Sequence, residues 1–156
     1  TWQFNTTISS NKNVDFVFQK DGELVNLGNT NIAFSPNFIG SNGILYQPIK
    51  NLNIHLLTKF VGEQFMGNID SKLSKLKSYT TNDLNISYTL VPKSVFEEIG
   101  INLLINNIFD YKYESNGYYY TFDDDWSNPN TITTMEGVGY FPQAGINFLV
   151  GLNLKF

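Results

Sequence analysis

The chain contains no cysteine and no arginine, and each absence removes a group of functions. Without cysteine there is no disulfide scaffold and no thiolate metal site, which fits an oxidising envelope compartment without proving it. All ten basic residues are lysines, so the bidentate clamps that arginine forms with phosphates or carboxylates are not available. With a net charge of -4, the chain also lacks the basic surface expected of a protein that binds nucleic acid.

Long hydrophobic runs are missing as well, since no apolar stretch approaches the ~18 residues of a transmembrane helix. His55 is the only histidine, so the sequence holds neither a Ser/His/Asp arrangement nor the spacing of a multi-histidine metal site. We therefore expect no enzymatic activity, no cofactor and no resident metal.

Alternation of apolar and polar residues is the dominant pattern, and it is clearest in the last eleven positions, 146–156. The apolar parity there comprises Ile146, Phe148, Val150, Leu152, Leu154 and Phe156. A period of two predicts a β-strand with one apolar face. Its length matches the ~9–11 residues of a membrane-spanning strand better than the ~5–6 residues common in soluble sheets.

The same alternation predicts six strands in the whole chain. They are expected near Trp2–Ile8, Ile32–Tyr46, Leu52–Phe60, Leu84–Leu90, Ile99–Phe109 and Gln143–Phe156. The proposed apolar faces carry no Asp, Glu, Lys or His, because the charged residues of these segments and His55 fall on the opposite parity. Such placement is expected for a lipid-facing surface and also for the core face of a soluble sheet.

The predicted connections alternate in length, as they do in transmembrane barrels, whose periplasmic turns are short and whose extracellular loops are long. Short turns are expected near Gln47–Asn51 and Val91–Glu97. Long polar loops are expected near Gln19–Gly28, Met66–Lys77 and Tyr113–Pro142. Aromatic residues gather at the ends of strands near the short turns, which predicts an interfacial girdle at that level. These residues are Trp2, Phe4, Tyr46, Tyr88 and Phe156.

Four segments resemble the C-terminal end of TonB-dependent outer-membrane receptors, particularly those of the Bacteroidetes type. They are Ile32–Pro36 leading to Tyr46–Pro48, then Lys59–Asn68, Asn106–Tyr113, and Tyr140–Phe148 running on to Phe156. They occur in the family's order at plausible spacing, and together they cover essentially the whole chain.

The resemblance implies an all-β fold in which residues 1–156 form about the last six strands of a 22-stranded antiparallel barrel in the bacterial outer membrane. The plug domain and the earlier strands would be the missing partners, since six strands cannot close a barrel. Other implied partners are outer-membrane lipid, TonB acting through the absent plug, and the barrel insertion machinery. That machinery would read a C-terminal signal consisting of Phe148, Val150, Leu152, Leu154 and Phe156.

Receptors of this family import a scarce ligand with energy from the inner membrane. A ferric siderophore is the default expectation for the ligand, and a glycan or cobalamin is the alternative.

The longest predicted loop carries the candidate ligand residues Tyr118, Tyr119, Tyr120 and Trp126. In one interpretation these side chains line an extracellular ligand mouth, where the acidic run Asp123–Asp125 attracts a metal or a cationic ligand. In the other, the aromatics lie just above the membrane and the acidic run is simply solvated. The run lacks the alternating ligands and the glycine of a calcium loop.

Two alternatives of a different class remain open from the sequence. One is a soluble β-sandwich that binds carbohydrate through the aromatics between Tyr118 and Trp126, with its large rings buried centrally. The other is a small self-contained outer-membrane barrel or adhesin. That alternative needs two further strands, which Gln19–Gly28 and Thr121–Gly137 could hide.

Overall fold

The computed structural model describes residues 1–92 and 95–156 and shows an all-β chain. Its strands are β1 (Trp2–Ile8), β2 (Lys12–Asn13), β3 (Val17–Lys20), β4 (Glu23–Asn26), β5 (Thr30–Asn31), β6 (Phe38–Ile49), β7 (Leu52–Val61), β8 (Gln64–Phe65), β9 (Lys75–Leu76), β10 (Tyr79–Leu90), β11 (Glu98–Asn106), β12 (Glu114–Asp124), β13 (Thr133–Pro142) and β14 (Asn147–Lys155). A single 3-10 turn, Lys72–Ser74, precedes β9. No helix in the described ranges is both long enough and apolar enough to cross a membrane.

Six long strands form one antiparallel sheet in the order β1-β6-β7-β10-β11-β14. Each strand pairs with the next long strand in the chain, so the sheet is a simple meander with β1 and β14 at its edges. The predicted all-β fold and its six strands are confirmed, and the sheet stays open in the described part of the chain.

The strand pairing places all six predicted apolar parities on one face of the sheet, because residues directly opposite each other in an antiparallel pair share a face. One row crosses every strand and consists of Trp2, Ile44, Leu56, Leu84, Ile105 and Phe148. The next row consists of Tyr46, Ile54, Ile86, Leu103 and Val150. We call this surface the apolar face, and the opposite surface, which carries His55, Lys59 and Asp83, the polar face.

The apolar face is not covered by a second layer of structure. Phe148 is 72% exposed, Val150 68% and Trp2 72%, and the corresponding residues of β7, β10 and β11 are half-buried by their neighbours within the sheet. A soluble β-sandwich would place its large rings between two sheets. Such a covering sheet is absent from the described ranges.

Buried hydrophobic side chains lie at one end of the sheet. Among the described residues they are Val61, Met66 and Leu76, and they belong to β7 and to the connection that follows it. The three long connections, 9–37, 62–78 and 107–146, all lie at this end. Lys50 and Asn51 join β6 to β7 at the other end. The predicted alternation of connection lengths is therefore confirmed, although positions 93 and 94 of the predicted turn Val91–Glu97 lie outside the described residues.

Five predicted boundaries differ from the structure by three residues or more, and backbone geometry explains two of them. The second long strand ends at Ile49 rather than Tyr46, and the fourth begins at Tyr79 rather than Leu84. The second long strand begins at Phe38 rather than Ile32, because Phe34 has a φ of 54° and Pro36 has no N–H to donate to a ladder. The fifth ends at Asn106, because Asn107 has a φ of 50°. The last strand begins at Asn147 rather than at Gln143.

The long loops are also more ordered than predicted. Tyr113–Pro142 is not an irregular polar loop, since most of it forms the hairpin β12–β13. Gln19–Gly28 contains part of the hairpin β3–β4. Both hairpins are separate two-stranded sheets, so they do not add strands to the six-stranded sheet as the small-barrel alternative requires.

Asn107 is the residue that connects the sheet to the β12–β13 hairpin. It is 5% exposed, and its side-chain nitrogen donates to the carbonyls of Tyr111 (2.9 Å) and Ala144 (3.3 Å). Its side-chain oxygen accepts from the Tyr111 N–H at 3.0 Å, and its own N–H donates to Asp83 at 2.8 Å. One buried amide thus satisfies backbone groups from both ends of the last long connection.

Replacement of Asn107 by Ala is expected to lower the free energy of unfolding by about 2–3 kcal/mol, because buried backbone groups lose their partners and alanine disfavours a positive φ. The measurement is denaturant unfolding in detergent. Asn106→Ala is the matched control, since its side chain makes a more exposed hydrogen bond to Asn147, and we expect a loss below about 0.5 kcal/mol there. Equal losses in the two variants would contradict the role of Asn107.

Candidate functional site

The β12–β13 hairpin has two chemically different faces because alternate residues of a strand point in opposite directions. Tyr118, Tyr120 and Phe122 lie on one face of β12, and Tyr119 lies on the other. The three consecutive tyrosines predicted to act together are therefore divided by the pleat of the strand.

Glycines on β13 make room for the two exposed tyrosine rings. Tyr118 lies opposite Gly139 and Tyr120 lies opposite Gly137. A Cβ at Gly139 would fall 2.4 Å from ring atoms of Tyr118, and one at Gly137 would fall 2.3 Å from Cζ of Tyr120. Each ring therefore crosses the neighbouring strand and lies over a glycine. This arrangement is possible only because glycine has no side chain.

The exposed rings form a continuous array that we call the aromatic ladder, consisting of Phe141, Tyr118, Tyr120, Phe122 and Trp126. Centroids are 6.3 Å apart for Tyr118–Tyr120 and for Tyr120–Phe122, with interplanar angles of 19° and 24°. Phe122 and Trp126 are 6.0 Å apart at 7°. All five side chains are exposed, from 41% at Phe122 to 68% at Trp126.

The opposite face of the hairpin packs on the connection between β7 and β10. Tyr119 contacts Gly67, and its hydroxyl lies beside Ser71 and Glu136, where burial raises its pKa to about 12. The hydroxyl of Tyr140 donates to the Leu73 carbonyl at 2.8 Å, and the Ser71 hydroxyl donates to Glu136. These contacts hold the hairpin from behind and leave the ladder free.

Two of the three aspartates at the hairpin tip, Asp123 and Asp124, accept internal hydrogen bonds. Asp123 accepts from the Thr134 hydroxyl at 2.7 Å and from the Gln19 side chain at 2.9 Å, which joins the tip to β3. Asp124 accepts from the backbone N–H groups of Trp126 (3.2 Å) and Ser127 (3.0 Å) and so shapes the turn that carries Trp126. Donation from Thr134 lowers the pKa of Asp123, and donation from Ser127 lowers the pKa of Asp124.

The structure does not assemble the acidic run into a metal site. In residues 1–92 and 95–156 no three His, Cys, Asp or Glu side chains come together in a way that could hold an ion. His55 lies on the polar face, beside Gly43, in a shallow cavity of about 200 Å³.

A second polar recess of about 290 Å³ lies where β10, β11 and β14 meet the last long connection. Its lining is uncharged apart from Asp83, whose carboxylate accepts from the Asn107 N–H. The lining residues are Thr81, Asp83, Asn106, Asn107, Tyr113, Gln143, Ala144 and Asn147. This recess opens on the polar face.

The residues of the predicted insertion signal lie together on the apolar face. Phe148, Val150, Leu152 and Leu154 alternate along the edge strand β14 and pair across to β11. Phe156 follows the strand, and its ring packs on Phe96 at 4.9 Å. Recognition by the insertion machinery stays a prediction.

Sequence reasoning named three members of the ladder, Tyr118, Tyr120 and Trp126, and missed Phe122 and Phe141. It also included Tyr119, which the structure places on the packed face. The alternation of Tyr118, Tyr120 and Phe122, followed by the glycines of β13, was the signal that could have revealed the array.

Comparisons with protein-family models, curated proteins and solved structures find no match for this chain.

Removal of the Thr134 hydroxyl by Thr134→Val is expected to raise the pKa of Asp123 toward its ordinary value, because the main donor to the carboxylate is lost. A carboxyl NMR titration measures this change. In the native protein the depressed pKa of Asp123 stabilises the tip above the unfolded pKa of about 3.9, and this contribution is lost as pH falls through the lower native value. Thr133→Val is the neighbouring control, and an unchanged pKa in Thr134→Val would contradict the assignment.

Proposed function

We propose that this chain forms part of the wall of a TonB-dependent receptor barrel in the bacterial outer membrane. The single observation that carries the proposal is the apolar face, which is continuous over six strands and has no protein layer on it. A surface of this size and polarity is stable against lipid and unstable against water.

The dimensions of the apolar face fit a membrane. Four successive same-face rows, from that of Ile44 to that of Leu154, are predominantly aliphatic. At about 3.4 Å per residue the outer rows are separated by roughly 20 Å along the strands, close to the ~25 Å apolar band of a membrane barrel.

Aromatic side chains lie on this face at several levels. Phe38 and Phe60 lie beyond the Ile44 row toward the long connections, where their rings meet at 5.5 Å, and Phe156 follows the Leu154 row at the opposite end. Trp2 lies in the Ile44 row itself, and Tyr46 and Tyr88 lie in the two rows between, so the predicted girdle residues do not share one level. Aromatic residues on either side of an aliphatic band are typical of outer-membrane barrels.

Two pairs of polar side chains on the apolar face bond to each other. The Trp2 indole N–H donates to the Asn42 side chain, and the Thr58 hydroxyl donates to the Asn82 side-chain oxygen at 2.7 Å. Pairing of this kind lowers the cost of placing polar groups against hydrocarbon.

The edges of the sheet supply the argument for a larger barrel. Each edge strand has one hydrogen-bonded neighbour in the sheet, β6 for β1 and β11 for β14. In lipid every unsatisfied backbone group costs several kcal/mol, so both edges need further strands. We assign these strands to the rest of a 22-stranded receptor, with a plug that receives energy from TonB. The polar face would then line the lumen, and the receptor would import a scarce ligand such as a ferric siderophore, a glycan or cobalamin.

The absence of native cysteine allows a direct test of which face meets lipid. Ile86→Cys and Asn85→Cys alter adjacent residues on opposite faces of β10. In intact outer membranes a water-soluble maleimide is expected to modify Asn85→Cys much faster than Ile86→Cys, because lipid excludes the reagent. In denaturant both variants should react fully with the maleimide. Asn128→Cys, in the exposed turn, is the control for a position that the reagent reaches freely. Equal rates at positions 85 and 86 in the membrane would refute the proposal.

The transport role is tested by uptake in the native bacterium. Cells lacking the gene for this chain, or lacking TonB, should lose energy-dependent uptake of one labelled ligand from a set containing ferric siderophores, cobalamin and oligosaccharides. Restoration of the gene should restore uptake only in cells that contain TonB. Unchanged uptake of every ligand after deletion would contradict an import function.

A further inference from the structure

We propose that the aromatic ladder is a stacking surface for a neutral, linear oligosaccharide, which makes a glycan the ligand class of this receptor. The inference deepens the proposed function and rests on it for the position of the hairpin outside the membrane. Four observations carry it: the near-parallel orientation of the exposed rings, the length of the array, its fixed support and its charge.

The rings of the ladder are nearly parallel and exposed. Neighbouring planes from Tyr118 through Trp126 differ by 7–24°. Since the tyrosine rings lie across Gly139 and Gly137, one side of each is covered by backbone and the other is left to solvent. Polarised C–H groups of a pyranose ring are attracted to the electron-rich face of an aromatic ring, and they need such an open face.

The ladder is longer than a compact ligand requires. Tyr118 and Phe122 are four residues apart in one strand, which separates their rings by about 13 Å. Phe141 and Trp126 extend the array at its two ends. A repeating series of flat apolar surfaces suits a chain of repeating sugar units, each of which can occupy the next ring.

The supporting face fixes the rings before any ligand arrives. Hydrogen bonds join Tyr140 to Leu73 and Ser71 to Glu136. Asp123 accepts hydrogen bonds from both Thr134 and Gln19. Because these contacts lie behind the ladder, little conformational freedom remains to be lost on binding.

Charge decides between the possible ligand classes. Residues 114–142 contain no lysine or arginine, and Asp124 and Asp125 lie at the Trp126 end of the ladder. A surface of this sign repels anionic ferric chelates, nucleotides and phosphorylated ligands. A neutral sugar is not repelled.

A cationic ligand fits the geometry less well than a sugar. Recognition of a cation by aromatic rings is strongest when the rings enclose it and remove its water. The near-parallel planes of the ladder form no such enclosure. The carboxylates of Asp123 and Asp124 are already engaged by Thr134 and by the tip backbone.

An interfacial girdle also fails to explain the ladder. Girdle residues come from neighbouring strands at one level of the barrel. Three members of the ladder instead follow one another along β12, and the strand opposite them supplies glycines.

The experiment is isothermal titration of the intact receptor carrying this chain, in detergent, with maltohexaose, cellohexaose, laminarihexaose and mannohexaose. At least one sugar is expected to bind saturably. Tyr120→Ala should weaken that binding about threefold to tenfold, the range expected for loss of one aromatic contact.

Gly137→Ala provides the sharper variant, because it retains every aromatic residue. Its new methyl group would displace the flexible end of the Tyr120 ring, so the strand is retained while the ladder is interrupted. We expect a loss of affinity comparable to that of Tyr120→Ala. Phe109→Ala, which removes a 72% exposed ring outside the ladder, is the matched control and should bind like the native protein. Heat-modified gel mobility verifies that every variant is folded.

Three outcomes would overturn the inference: saturable binding of none of the four sugars, sugar binding unchanged by both ladder variants, or a ferric chelate whose binding requires Tyr120. The result of the sugar titration can be distinguished from the result of the maleimide test of the membrane assignment. If positions 85 and 86 still differ in maleimide reactivity while sugar binding fails, only the ligand class is wrong. If sugar binding depends on the ladder while the two positions react equally, the wall assignment is wrong.

Discussion

The pairing register of the six-stranded sheet is the constraint on which the rest of the structure depends. With a side-chain period of two, a slip of one residue in any pair would move that strand's apolar residues to the opposite face. Here the apolar parity of each strand lies opposite the apolar parity of the next, as in the row from Trp2 to Phe148. One face is therefore predominantly apolar, while the other holds His55, Lys59 and Asp83. The lipid-facing wall that we propose depends on this arrangement.

This register also explains why so little of the chain is buried. A soluble domain of this length would derive most of its stability from a hydrophobic core. In this chain the main sheet has no core of its own, and the buried apolar residues Val61, Met66 and Leu76 serve to hold the connections together. The backbone hydrogen bonds of the sheet and the removal of its apolar face from water by lipid would supply the stability of the wall.

The connections at one end of the sheet support the proposed ligand surface. Asn107 ties the end of β11 to the start of the last connection, and Asp83 on β10 anchors Asn107 in turn. From this base the β12–β13 hairpin uses the same alternation as the wall for a different purpose. Its inner face packs on the neighbouring connection, and its outer face presents rings that lie over glycines. The proposed wall and the proposed ligand surface thus both depend on the alternation of side chains along a strand. They differ in the neighbours against which each face lies.

The sequence by itself determined the features that depend on local periodicity. It predicted the six long strands, the apolar parity of each and the alternation of short and long connections, because a side chain's face follows from its position in the strand. It did not reveal that positive φ values at Phe34 and Asn107 delay the start of one strand and end another early, nor that most of Tyr113–Pro142 forms a hairpin. Only the tertiary structure showed that Tyr119 lies on the opposite face from Tyr118 and Tyr120, and that Phe122 and Phe141 belong to the ladder. It also showed that Asp123 accepts hydrogen bonds from Thr134 and Gln19. These features depend on which residue lies opposite which across strands distant in sequence, and a pattern along a single chain does not contain that information.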